Sequence, residues 1–309
     1  MYYSLRWPFT QTFAIKGTAS FRDDYASFLT MNGDNASLTM PGFRRNWIGL
    51  KFETIFDNTR KIGINIPSGC RYKIFAEGYW QLDVSGWQLN DIDSWRFKDI
   101  FVSDLYVVGA DFRYYQPIHR NIIWASRFAT SSSLSFGGSK LLYYLGSLDN
   151  WITFASNYDN TVRVDRQEQY AYQALATNMR GFRQNIRNGN NFALINNEIR
   201  WPFIQYFAKY PMSNFWSSLQ AVGFFDAGSA WSGISPWGRT SAYDYEEIRG
   251  GDGSVIVTLE TGRDPFVYGY GFGLRAQLLG YFMRFDWAWG IENNVRLPRI
   301  FYFSMSLDF

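Results

Sequence analysis

Between Tyr268 and Trp289 the chain changes chemistry at almost every residue. Tyr270, Phe272, Leu274, Ala276 and Leu278 share one side of an extended backbone, and Gly269, Gly271, Gly273, Arg275 and Gln277 share the other. Leu279-Gly280 supplies a tight turn. Tyr281, Met283, Phe285, Trp287 and Trp289 then alternate with Arg284, Asp286, Ala288 and Gly290. A period of two marks a strand, because successive side chains of an extended chain point to opposite faces. The same alternation sets Arg71, Lys73, Glu77 and Gln81 against Tyr72, Ile74, Ala76 and Trp80. It returns at the end of the chain, where Phe301, Phe303, Met305, Leu307 and Phe309 face away from Tyr302, Ser304, Ser306 and Asp308. A soluble sandwich built from such strands must either bury charge or expose tryptophan. A strand with lipid on one face and a polar lumen on the other does neither.

Composition supports the second arrangement. Aromatics make up 20% of the chain and charged residues 18%, yet mean hydropathy is only -0.25. Apolar residues are abundant but interleaved, and no run approaches the roughly 18 apolar residues of a membrane helix. The fold class expected is all-β: a transmembrane antiparallel β-barrel. A net charge of +3 is too small to suggest a nucleic-acid partner. With one cysteine, Cys70, and one histidine, His119, an internal disulfide, a histidine-based metal site and a nucleophile–base pairing are all unexpected. No enzymatic activity and no cofactor or metal are expected. Gly269-Tyr270-Gly271-Phe272-Gly273 lacks the spacing and the strand-then-helix context of a nucleotide loop. Asp104, Asp111 and the acidic run at Asp244, Glu246 and Glu247 read as ordinary strand or loop carboxylates.

Strands are expected near residues 2–9, 11–22, 24–31, 36–41, 46–57, 69–82, 102–116, 119–132, 190–203, 215–228, 265–278, 280–291 and 299–309. The long connections 83–101, 133–189 and 229–264 then fall on one side of the membrane. The short ones near 117–118, 204–214 and 279–280 fall on the other, the asymmetry of outer-membrane barrels. About thirteen strands is an odd count where bacterial barrels are even, and Met1 to Arg6 carries no signal peptide. The expectation is the C-terminal portion of a longer chain with about sixteen strands in all. Leu5-Arg6-Trp7-Pro8-Phe9 echoes Ile199-Arg200-Trp201-Pro202-Phe203. Each proline marks a strand end, and the aromatics beside it suit a membrane boundary.

Three segments carry a resemblance. Met179-Arg180-Gly181-Phe182 lies inside the 133–189 connection. Asn197-Glu198-Ile199-Arg200-Trp201-Pro202 follows in the next strand, and Gly223-Phe224-Phe225-Asp226-Ala227-Gly228 in the one after. In this order ahead of a terminal Phe309, they resemble the Arg-Gly-Phe/Tyr, Glu-x-Arg-x-Pro and Phe-x-Asp-x-Gly motifs of the bacterial surface antigen family. That superfamily holds the Bam and Tam assembly barrels and the two-partner secretion transporters. The resemblance implies that residues 133–189 form an external loop folded into the lumen. Arg180 would pair there with Glu198 and Asp226, next to Arg200, while Gly181 turns the tip and Phe182 packs on the wall. It also implies that Phe301, Phe303, Met305, Leu307 and Phe309 are the barrel-insertion signal.

The implied function is assembly, insertion or translocation of other proteins at the outer membrane of a Gram-negative bacterium. The partners implied are outer-membrane lipids and lipopolysaccharide, client outer-membrane or secreted proteins, and accessory lipoproteins. A barrel that anchors a periplasmic domain and a passive channel are the alternatives. Tyr143 to Trp151 and Arg180 to Asn190 are similar to Bacteroidetes-type barrels, some of which follow a TolB-like propeller. No polypeptide-transport-associated repeat is recognisable.

Overall fold

The computed structural model describes residues 1–26, 43–82, 101–148, 151–154, 161–164, 170–208, 213–238, 241, 245–249, 256–260 and 262–305. The chain opens with β1 (Tyr2–Pro8), β2 (Phe13–Ala26), β3 (Phe43–Asp57), a short β4 (Arg60–Gly63), β5 (Ile66–Leu82), β6 (Phe101–His119) and β7 (Ile122–Leu134). The long connection that follows holds β8 (Lys140–Leu145), β9 (Trp151–Phe154), β10 (Tyr170–Leu175) and β11 (Arg187–Gly189). The wall resumes with β12 (Asn191–Trp201), two short helices α1 (Phe203–Phe207) and α2 (Asn214–Ser218), and β13 (Gln220–Trp231). A hairpin of β14 (Tyr245–Arg249) and β15 (Ile256–Glu260) leads to β16 (Val267–Leu278), β17 (Tyr281–Glu292), β18 (Val295–Arg296) and β19 (Ile300–Met305).

These strands make the sheet of a transmembrane barrel. Its order is β1-β2-β3-β5-β6-β7-β12-β13-β16-β17-β19-β9, with β4 beside β5 and β18 beside β17. Neighbours along the wall are antiparallel. Strand lengths are uneven. β5 and β6 have 17 and 19 residues, whereas β12, β13, β16 and β17 have 11 or 12.

Alternation is written into burial. Along β17, Phe282, Arg284, Asp286, Ala288 and Gly290 are buried, and the residues between them are not. The outward rings line up in rows across strands. Tyr270 stacks on Trp289 and Phe272 on Trp287, while Trp287 meets Phe301 and Phe285 meets Phe303. Cross-strand aromatic pairs stabilise a register and give the wall an apolar exterior. The inner face pairs its charges. Glu53 is flanked by Lys16 and Lys51, Lys51 reaches Glu77 at 2.6 Å, and Arg127 and Arg113 both reach Asp111. Paired charges lower the penalty of removing each from water.

Described parts of the 133–189 connection pack against that inner face. β10 runs parallel to β8, β11 runs antiparallel to it, and the three form a small sheet of their own. Leu141, Tyr143, Leu145, Met179, Phe182 and Ile186 join one apolar cluster with Trp47, Leu105, Phe192 and Leu194 of the wall. Tyr143 Oη and Ser131 Oγ are 2.8 Å apart, and Leu141 N donates to Ser133 Oγ at 2.7 Å. The connection therefore carries its own hydrophobic core and shares it with β3, β6 and β12.

Several expected boundaries move. The strand expected from residue 215 begins at Gln220, because 214–218 is helical; five residues are too few to show a 3.6 period. The turn expected near 117–118 lies at Arg120-Asn121. Pro117 stays in register with Ile123, and Arg120 takes the left-handed φ of 48° that a tight turn needs. Residues 24–26 continue β2 instead of starting a new strand. The rest of the expected strands at 24–31 and 36–41 lies outside the described residues, as do Leu307, Phe309 and Asp244. Phe301, Phe303 and Met305 point away from the inner face, while Ile300, Tyr302 and Ser304 are buried on it.

Candidate functional site

Arg180 sits at the tip of the inserted connection, and β12 and β13 present carboxylates to it. Pairing of these strands puts Asn196 opposite Asp226 and Glu198 opposite Phe224. The period of two then turns Asn196, Glu198 and Arg200, and likewise Phe224 and Asp226, to the inner face. Asp226 takes Arg180 in a fork: Nε donates to Oδ2 and Nη2 to Oδ1, both at 2.7 Å. The remaining terminal nitrogen, Nη1, donates to Glu198 Oε1 at 2.6 Å, and the Arg180 backbone N–H reaches Asp226 Oδ2 at 3.2 Å. The guanidinium carbon lies 3.8 Å from the centroid of the Phe224 ring. Bidentate carboxylate contact plus an aromatic face is what a planar guanidinium can satisfy and an ammonium cannot.

Glu198 is the hub of a wider cluster. Arg200 Nε donates to its Oε2 at 2.8 Å, and Arg275 donates to both oxygens at 2.9 and 2.5 Å. Arg284 lies 3.7 Å from Glu198 and 3.6 Å from Asp286. Four guanidiniums thus face three carboxylates, and every one of these side chains is nearly or fully buried. Arg200 also donates to the backbone oxygen of Asn65 at 3.2 Å and to its Oδ1 at 3.0 Å. The turn between β4 and β5 thereby closes the cluster from the short-turn end.

The tip fits because the wall leaves space for it. Gly181 has φ +93°, a region that disfavours side chains, and a Cβ there would meet the Trp289 backbone. Across the sheet, a Cβ on Gly269 would strike the carbonyl oxygen of Arg180. Gly269 and Gly290 are register partners, so β16 and β17 together form a trough beneath the tip. Phe182 is buried in the shared core, and Tyr302 Oη of β19 donates to its carbonyl oxygen at 2.5 Å.

The structure brings Arg180, Gly181, Phe182, Glu198, Arg200 and Asp226 together. Phe301, Phe303 and Met305 sit apart from them on the outward face of β19. Sequence reasoning missed Arg275, Arg284, Asp286 and Tyr302 as members of the cluster. Their inward parity was readable, but which inward residues meet depends on register. Gln220 pairs with Arg275, Arg275 with Arg284, and Asp286 with Tyr302, and no local pattern announces that.

No protein-family model and no curated protein sequence matches the chain. Solved structures do. The crystal structure of BamA from Haemophilus ducreyi lacking POTRA domains 1-3 superposes with a TM-score of 0.56 at 15% identity, over 99% of this chain and 53% of that one. CdiB from Acinetobacter baumannii aligns over 99% of this chain and 49% of its own at 12% identity, with a TM-score of only 0.36. The chain therefore has the fold of the BamA barrel and spans about half the length of the structures it matches.

Proposed function

We propose that this chain works in the outer membrane of a Gram-negative bacterium as a barrel that assembles, inserts or translocates other proteins. One observation carries the reading: a long connection is clamped on the inner wall by Arg180 between Asp226 and Glu198. A passive pore needs an open lumen, and here Leu141, Tyr143, Leu145, Met179, Phe182 and Ile186 of the connection fill part of that space. A barrel that only anchors another domain has no use for a buried guanidinium cluster joining a loop to four wall strands. The resemblance of the Arg180, Glu198 and Asp226 segments to the Bam and Tam barrels supports the same conclusion. On this reading the outward aromatic rows face lipid and lipopolysaccharide, and the partners are client outer-membrane or secreted proteins with accessory lipoproteins.

The test is depletion of the full-length protein in its own host, followed by quantitative proteomics of the outer membrane. Broad loss of other barrels, or selective loss of one secreted class, is the expected result and identifies the clients. An unchanged outer-membrane proteome overturns the proposal in favour of an anchor.

A further inference from the structure

Where β12 leaves the wall, the chain folds back over its own last outward side chain. Pro202 ends the ladder, and α1 then turns so that Phe203, Tyr206 and Phe207 gather round the Trp201 ring, with centroids 6.1, 6.2 and 6.3 Å from it. Tyr206 N donates to Pro202 O and Ala208 N to Ile204 O, both at 2.9 Å, which holds the turn in shape. Beside it stands the turn between β6 and β7. Tyr206 Oη and His119 Nδ1 are 3.2 Å apart, and the Arg120 guanidinium carbon lies 5.0 Å from the centroid of the Tyr206 ring.

Two properties of this rim point to one kind of ligand. The first is apolar area at the level where the strands end. Phe207 is 77% exposed and Ile118 58%, and they extend the outward column of Ile199 and Trp201 on β12. Water is a poor solvent for such a layer, and the boundary of a bilayer is a good one. The second is charge. On the inner face Lys16, Lys51 and Arg127 are each met by a carboxylate, whereas Arg120 has no carboxylate partner among the described residues. A ring covers one side of a guanidinium and leaves its in-plane N–H donors available. Those donors match the paired oxygens of a phosphate.

We propose that the β6–β7 turn and α1 together form a phospholipid site at the short-turn end of the barrel. Arg120 takes the headgroup phosphate, Tyr206 with His119 fixes the height of the guanidinium, and an acyl chain lies against Phe207 and Trp201. The site is continuous with the lipid-facing wall and does not depend on what the barrel does with other proteins. It tethers the rim of β6, β7 and β12 to one leaflet.

The test is native mass spectrometry of the full-length protein in detergent, titrated with phosphatidylglycerol. Arg120→Asn removes the charge, and asparagine tolerates the left-handed backbone of this turn, so the gel-mobility change on heating should stay where it is in the unaltered protein. Its first phosphatidylglycerol should bind at least about tenfold more weakly, the value of one charge-assisted contact. Lys61→Gln, at an exposed basic residue of β4 at the same end, should bind as the unaltered protein does. Equal affinity in Arg120→Asn and the unaltered protein overturns the proposal. So does an equal loss in Lys61→Gln, which would make the effect one of general surface charge. Inorganic phosphate added in large excess should leave most of the lipid bound. Complete displacement would make this a site for free anions and overturn the lipid. Lipid binding is read without any client, so its failure is separate from a failure of the proposed function.

Discussion

At the scale of single residues, the cluster divides into side chains whose loss strands a charge and those whose loss does not. Arg180 supplies three of the donors that reach Asp226, two from its guanidinium and one from its backbone, and one that reaches Glu198. Arg180→Ala removes the guanidinium donors and leaves a buried carboxylate under-satisfied. The expected cost is about 3–5 kcal/mol, seen as a lower temperature for the gel-mobility change that accompanies barrel unfolding. Arg180→Lys keeps the charge but not the fork, so it should recover only part of that loss; full recovery would show that the bidentate geometry is unimportant. Asp226 and Asp286 make a sharper comparison. Both are fully buried, yet Asp226 accepts the Arg180 fork, whereas both Asp286 oxygens lack a hydrogen-bond donor among the described residues and Arg284 stands at 3.6 Å. Asp226→Asn should therefore lower the unfolding temperature clearly more than Asp286→Asn. Equal shifts in the two variants would contradict the pairing.

At the scale of elements, what was legible follows from periodicity. The inward set Asn196, Glu198 and Arg200 and the outward set Ile195, Ile199 and Trp201 could be read from β12 alone, because a strand's side-chain period does not depend on its neighbours. The strand ends at Pro8 and Trp201 were also legible, since proline cannot donate to a ladder. Inside the 133–189 connection the pattern gave little away. β8, β10 and β11 are three to six residues long, and β10 pairs with β8 across a separation of about thirty residues. β9 meets a strand roughly 150 residues away. Short apolar runs cannot be distinguished by periodicity, and such distant partners are set by tertiary packing. The packing also makes a prediction for the element as a whole. Leu141, Leu145, Phe182 and Ile186 fill space between opposite wall strands, so the protein reconstituted in a planar bilayer should conduct ions poorly. Deleting residues 141–186 should raise conductance. A large conductance in the intact protein would show that the loop leaves a wide path open.

At the scale of the molecule, the uneven strands set a profile. With a rise of about 3.4 Å per residue and a tilt of about 40°, a strand of 12 residues spans roughly 31 Å. That just crosses a hydrocarbon core of about 30 Å. By the same reckoning the 19 residues of β6 reach about 49 Å. Register shows which end overshoots. β7 ends at Leu134 opposite Tyr106, while the part of β6 from Phe101 to Leu105 continues in partnership with β5 up to Leu82. The excess is at the end of the long connections. The barrel thus has a low sill where β16, β17 and β19 stand and a tall back wall at β5 and β6. With the long connections facing outward, an epitope tag inserted between Leu82 and Phe101 should bind antibody on intact cells, and one at Leu279-Gly280 only after permeabilisation; the reverse pattern would invert the orientation. An antibody or phage arriving from the medium would meet the back wall first. The sill at β16, β17 and β19 would stay in the shelter of the surrounding lipid headgroups.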